Sequence, residues 1–258
     1  MFFKTIDFSK YSSIKIGQPT QVLMIEQGDD FPIDRYLIGG ANNLLVSPIP
    51  PPLMMLSKDF ATITRKENIL TIGASMPTGR IVSYAKKHDI AGFEFCSKLP
   101  GTLGGMLAMN AGVKAYEIFN ILHSININGA WISAQDLEHG YRFAKLGGIA
   151  TYAKFEIHHG FSQQLLDELL SLRSNQPHEP SAGSVFKNPE DDFAGRLIEA
   201  SGLKGLRKGQ MQWSMVHANF LVNLGGGTYE DAKYLIDLAK NEVFKKFGIA
   251  LLEEIKIL

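Results

Sequence analysis

The run Pro100-Gly101-Thr102-Leu103-Gly104-Gly105, continuing to Asn110-Ala111-Gly112, restricts this chain more than any other stretch. It places four glycines, a proline and an asparagine among small apolar residues. Glycine reaches positive φ and lets a backbone approach a ligand with no Cβ in the way. Successive inward-turned N–H groups form an anion-binding concavity that suits a pyrophosphate. Two readings stand for such a run: a tight turn with close helix packing, or a ligand loop.

A second run bears on that choice. Ile38-Gly39-Gly40-Ala41-Asn42-Asn43-Leu44-Leu45 follows the strand-like Arg35-Tyr36-Leu37. Neither run is a G-x-G-x-x-G with an acidic residue in a βαβ unit, so a Rossmann site is excluded. Neither ends in G-K-[ST], so a P-loop is excluded. What remains is a dinucleotide held by two separate glycine loops. The first contributes Gly39, Gly40, Ala41, Asn42, Asn43 and Leu44, and the second Pro100, Gly101, Thr102, Gly104, Gly105, Asn110 and Gly112.

The 258 residues allow two modest domains or one large one. Lys+Arg and Asp+Glu both number 26, so no long-range field favours nucleic acid or an anionic membrane. Cys96 is the only cysteine, which excludes an internal disulfide and a cysteine zinc cluster, and it reads as a small buried apolar residue. No apolar run has bilayer-spanning length, and Asp7 interrupts the N-terminal segment early. A cytoplasmic protein without a membrane, nucleic-acid or obligate protein partner is the expectation.

Patterning predicts strands over residues 20–26, 35–38, 53–56, 61–64, 69–72 and 149–158, with a hairpin turn at Lys66-Glu67-Asn68. Pro48 to Pro52 forms a rigid connector. Helices are predicted over 78–88, 163–172, 194–200 and 228–247, the last with Thr228 and Asp231 as a capping pair and Gly248 as C-cap. A closing strand is predicted at 255–258. These elements suggest an α+β chain with a boundary near His159-Gly160: residues 1–160, in two lobes of about 1–52 and 53–160, then a smaller domain over 161–258.

Read from residues alone, Ser184 in Ala182-Gly183-Ser184-Val185 is a turn serine, since this is no G-x-S-x-G elbow. Arg142 is either a solvated arginine or a fixed cation whose planar fork suits two oxygens. Alternation sends Glu253 and Glu254 to opposite faces, so only one enters a site. Lys187 and Asn188 either bind a ligand or cap a helix. His158, His159 and His217 lack metal spacing, and no metal is expected.

The chain resembles the UDP-N-acetylenolpyruvoylglucosamine reductases, also called UDP-N-acetylmuramate dehydrogenases, flavoenzymes of peptidoglycan precursor synthesis. The resemblance rests on Tyr11-Ser12-Ser13-Ile14-Lys15-Ile16-Gly17, the two glycine runs, Tyr141-Arg142, Ser181 to Pro189, His217 to Asn223 and Glu253 to Ile257, in the family's order. It implies a two-part, vanillyl-alcohol-oxidase-like FAD-binding domain and a smaller α/β substrate domain. It implies non-covalent FAD in the glycine loops and NADPH as co-substrate, with hydride passing from flavin N5 to C3 of the enolpyruvyl group. It also implies that Ser184 protonates C2, that Arg142 stabilises the enolate, and that Glu254 assists as an acid. Lys187, Asn188 and Arg173 are carried as candidates for the UDP portion.

Ala41 stands where the family has glycine, Asn42 where it has serine, and Lys98 where it has glycine. Arg142 and Ser184 lie only 42 positions apart, and the one tyrosine between them, Tyr152, falls in a predicted strand. This implies the short form of the family, without a tyrosine lid over the diphosphate. The competing readings are another FAD oxidoreductase, such as an alcohol oxidase with tethered flavin, and a non-enzymatic nucleotide-binding module.

Overall fold

An Asn128-Gly129 turn, both residues at positive φ, joins the strands Leu122–Ile127 and Ala130–Ser133 in a two-residue hairpin, the connection whose twist matches paired strands. This hairpin belongs to the largest sheet of the computed structural model, which describes residues 1–171 and 176–258. The five strands run in the order Ala130–Ser133, Leu122–Ile127, Ala150–Glu156, Ile69–Gly73, Ile63–Lys66, all antiparallel. Ile125, Ala153, Phe155, Leu70 and Ile72 form a core with Ile81, Val82 and Ala85 of the helix Thr78–Lys87 and with Leu103, Met106 and Leu107 of the helix Leu103–Met109. Through Leu103, Met106 and Leu107 that burial anchors the second glycine run to this core.

The strand Leu53–Leu56 lies between Pro19–Ile25 and Tyr36–Leu37, parallel to both. It therefore joins the sheet of the first lobe, and the expected lobe boundary at residue 52 is crossed by this pairing. Leu23, Ile25 and Met54 form its small buried cluster.

The remaining sheet orders Ser181–Ser184, Phe220–Asn223, Met211–Trp213 and Arg207–Lys208, again antiparallel. The helix Tyr229–Phe247 buries Ala232, Leu235, Ile236, Ala239 and Val243 in the same cluster as Trp213 and Leu221. Thr228 accepts from the Asp231 N–H at its start, and Gly248 takes the left-handed conformation at its end.

The chain divides into two compact units that interleave along the sequence: Met1–Lys4, Val22–Gly40 and Pro52–Ser174, against Thr5–Gln21, Ala41–Pro51 and Asn175–Leu258. This differs from a single cut near residue 160. The physical reason is burial: Ile14, Ile16 and Leu45 sit in the core cluster of the C-terminal residues. The Asn223 side chain, itself buried, donates to Ile14 O at 2.9 Å and Lys15 O at 3.3 Å. The terminal strand Lys256–Ile257 then pairs parallel with Leu44–Leu45.

Most predicted elements fall where patterning put them, including the helices Ala194–Ala200 and Gln163–Ser171 and the strand Ala150–Glu156. The strand expected at 61–64 begins instead at Ile63, because Ser57 accepts from the Asp59 N–H and caps a 3-10 turn over Lys58–Phe60.

Candidate active site

In the first unit, Gly39 and the second glycine run meet. A Cβ on Gly39 would lie 2.8 Å from Thr102 Oγ1, so any side chain here would force Thr102 to shift. Thr102 Oγ1 also accepts from the Gly105 N–H at 3.4 Å, and Gly101 at φ +128 turns the chain before it. Gly105 and Pro100 are exposed, whereas Gly104 packs on Ala74, to whose carbonyl its N–H donates at 2.7 Å. Gly104 thus serves helix packing, while the strip at Gly101 and Gly105 presents backbone with little side chain over it.

The same run reaches Arg142. Asn110 is buried in the left-handed conformation, and its amide donates to Gly140 O at 3.2 Å and Glu117 Oε2 at 2.7 Å while accepting from the Phe119 N–H at 3.2 Å. Arg142 Nη2 donates to Gly112 O at 3.0 Å, and the guanidinium lies 5.2 Å from the Tyr141 ring centroid. Arg142 occupies the turn between His139–Gly140 and Phe143–Ala144 at φ +59. A non-glycine residue there stores about 1–3 kcal/mol of backbone strain, which tight surroundings must hold.

The second unit assembles three sequence-distant motifs. Glu254 N–H donates to Val185 O at 2.8 Å, directly beyond Ser184, and Lys187 N–H donates to Leu252 O at 2.8 Å. Asn43 Nδ2 donates to Glu254 O at 2.9 Å, and Lys256 N–H donates to Asn43 O at 2.9 Å. Ser184, Glu254 and Asn43 are all half-buried. Ala41 is buried at φ +51, the positive φ at which the family's glycine would be unstrained, and Ser13 supports the run by donating its N–H to Ala41 O and its hydroxyl to Asn42 O. Leu44 packs inward on the strand Leu44–Leu45. Gly40, the last residue of its segment in the first unit, is half-buried.

Glu253 Oε1 pairs with Lys240 Nζ at 2.7 Å. Burial pushes the Glu253 carboxyl up, but the Lys240 hydrogen bond, its backbone hydrogen bond and the charges of Lys240 and Lys233 outweigh it and hold the group below its ordinary value.

Asn188 is the helix cap among the alternatives: its Oδ1 accepts from the Ala194 N–H at 3.1 Å at the start of Ala194–Ala200. Arg173 lies outside the described residues. Cys96 is buried, and burial first, then the charge of Glu94, pushes its thiol far up, so it is no nucleophile. Burial lowers His217 first and outweighs its backbone hydrogen bond, with Lys204 adding to the depression; its Nδ1 accepts from the Asn219 N–H at 3.2 Å.

Sequence reasoning passed over Asn219. Its Oδ1 accepts from the Phe186 N–H at 3.0 Å and its Nδ2 donates to Phe186 O at 2.7 Å, fixing the chain two residues past Ser184. The available signal was an amide, a type depleted in strands, beside the apolar Phe220-Leu221-Val222.

Residues 176–258 match the family model described as UDP-N-acetylenolpyruvoylglucosamine reductase, C-terminal domain. A Helicobacter hepaticus protein named UDP-N-acetylenolpyruvoylglucosamine reductase is 48% identical over 257 residues, covering 98% of each chain. The chain belongs to the UDP-N-acetylenolpyruvoylglucosamine reductase family. A Campylobacter jejuni reductase of that name is 46% identical over 98% of this chain and 99% of its own. The crystal structure of the Thermus caldophilus reductase superposes with a TM-score of 0.85 at 28% identity, covering 100% of this chain and 99% of the other. The α+β architecture is thus that of the family.

Proposed function

We propose that this chain reduces UDP-N-acetylenolpyruvoylglucosamine to UDP-N-acetylmuramate, using bound FAD and NADPH. The observation that carries the site assignment is the hydrogen bond from Glu254 N–H to the carbonyl of Val185, which brings the last motif of the chain beside Ser184. The residues present fit a flavin dinucleotide. A Cβ on Gly39 would force Thr102 to shift, and the exposed Gly105 leaves backbone open to a diphosphate. Gly39, Gly40, Ala41, Asn42 and Leu44 of the first run, with the second run from Pro100 to Gly112, are assigned to the flavin, while the Asn43 carboxamide is engaged by Glu254 O. Buried Cys96 offers no tether, in keeping with a non-covalent cofactor.

When bound, the flavin supplies hydride exchange between the nicotinamide and the enolpyruvyl double bond. The chain's own groups handle charge and protons. Arg142 provides fixed positive charge for the substrate carboxylate and the enolate that develops from it. Ser184 Oγ–H gives its proton to C2, a task that needs a positioned partner and little bulk water. Glu254 assists from the neighbouring segment as a protonated or hydrogen-bonding group, since a second anion would repel the enolate.

The UDP diphosphate is held by charge without a tyrosine lid. Tyr152 lies in the strand Ala150–Glu156, where its hydroxyl accepts from Gln27 Nε2. Lys187 and Arg173 are the cations assigned to the task.

The test is a spectrum followed by two half-reactions. The purified protein is yellow, releases FAD on acid denaturation, bleaches with NADPH and recovers colour with the enolpyruvyl substrate. Ser184→Ala leaves bleaching near normal and slows recovery by about 10²–10⁴-fold. A colourless protein that does not take up FAD refutes the function, and equal slowing of both halves refutes the role of Ser184.

A further inference from the structure

The segment bearing Glu254 is held from two sides by different kinds of bond. On one side main-chain bonds hold it: Lys187 N–H to Leu252 O, Glu254 N–H to Val185 O, and the bridge between Phe186 and Glu253. On the other side a ladder of main-chain bonds joins the segment to the first glycine run. Leu258 N–H donates to Leu45 O at 3.0 Å and Lys256 N–H to Asn43 O at 2.9 Å. One step earlier, at Glu254 O, the donor is a side chain, the Asn43 carboxamide at 2.9 Å. A carboxamide carries donor and acceptor in a fixed plane, and here its donor continues the ladder.

We propose that Asn43 is a positioning residue for Glu254, acting through its backbone, rather than a residue whose chief role is to contact the flavin. The inference rests on the assignment of Glu254 to the reaction. Asn43 brackets Glu254 and Lys256 at once, by side chain to the first and by carbonyl to the second. Glu254 Cα is thereby set between Val185 and Asn43, and Lys240 holds the neighbouring Glu253 carboxylate in an ion pair. A group that must meet a reacting centre loses rate steeply with small displacement. The chemistry therefore demands that this backbone be tied on both sides.

The test uses Asn43→Asp, which keeps shape and removes the donor, and Asn43→Ala. In the flavin-loaded full chain, both variants keep the flavin spectrum and wild-type bleaching by NADPH, while reoxidation by substrate falls by about 10–100-fold. Hydrogen exchange at the Glu254 and Lys256 amides, read by mass spectrometry without turnover, becomes faster in both variants. Wild-type reoxidation overturns the proposal. So does a loss of bleaching or of flavin equal to the loss of reoxidation, which would place Asn43 on the cofactor. Unchanged exchange overturns the clamp whatever the kinetics. Glu254→Gln is measured alongside: if it reoxidises at the wild-type rate, the assignment of Glu254 fails and the proposal falls with it, whereas a crippled Glu254→Gln beside an intact Asn43→Asp refutes the positioning alone.

Discussion

Asn223 offers the sharpest test of how the N-terminal residues come to belong to the C-terminal unit. Its Nδ2 donates to Ile14 O and Lys15 O, and its Oδ1 accepts from Gly225 N–H at 3.0 Å and Gly227 N–H at 2.9 Å. Only Ile14 among these partners lies in a buried residue; Gly225 and Lys15 are exposed and Gly227 is half-buried. Asn223→Ala therefore strands one buried carbonyl, while water recovers the other groups in part. Stranding a buried acceptor costs about 1–3 kcal/mol and each recoverable bond about 0.5–1.5 kcal/mol, with shared atoms limiting additivity, so the loss is about 3 kcal/mol. For a chain of this size that lowers Tm by about 6–12 °C. Thermal unfolding is followed by the fluorescence of Trp213, which is buried in the same unit, against circular dichroism for the whole chain. Trypsin cleavage at Lys10 and Lys15 accelerates as the N-terminal segment loosens. Asn223→Asp keeps the acceptor for the glycines but sets an oxygen against Ile14 O, and is at least as destabilising as alanine. A Tm change below about 2 °C for Asn223→Ala, or a mild Asn223→Asp, refutes the reasoning.

Three further outcomes follow from the same geometry. Asn188→Ala lowers stability by about 1 kcal/mol through loss of the cap on Ala194–Ala200; a raised substrate KM with unchanged Tm would show it to be a ligand residue instead. Glu254→Gln cripples substrate reduction, whereas Glu253→Gln leaves it almost untouched, and the reverse result overturns the strand alternation. Because the folded Glu253 carboxyl is held below its ordinary value of about 4.5, its pair with Lys240 contributes stability above that pH and loses it as pH falls below; acid titration of wild type against Glu253→Gln should show the two converging there. Lys187→Ala raises the KM for the UDP substrate and spares flavin reduction by NADPH; an unchanged KM removes Lys187 from the diphosphate site.

The sequence by itself determined the elements whose signals are local. The helix Tyr229–Phe247 shows its apolar stripe, Thr228 cap and Gly248 stop within one stretch of chain, and each acts in the folded protein as the pattern requires. The ordered motifs also sufficed to place the chain in its family, because each motif is a short string that needs no partner to be recognised. Other features depended on the fold. Asn43 and Asn110 stand as candidate ligand residues on sequence and Asn188 as a ligand residue or a helix cap, and in the fold their amides hold Glu254 O, Gly140 O with Phe119 N–H, and Ala194 N–H. An amide has the same donors and acceptors whether it meets a ligand or a backbone, so its identity leaves the partner open. The interleaving of the two compact units was likewise hidden, because Ile14, Ile16 and Leu45 look like any apolar residues until burial against Trp213 and its neighbours assigns them. Burial is non-directional and indifferent to sequence distance, so the tertiary structure alone decided which core those residues would enter.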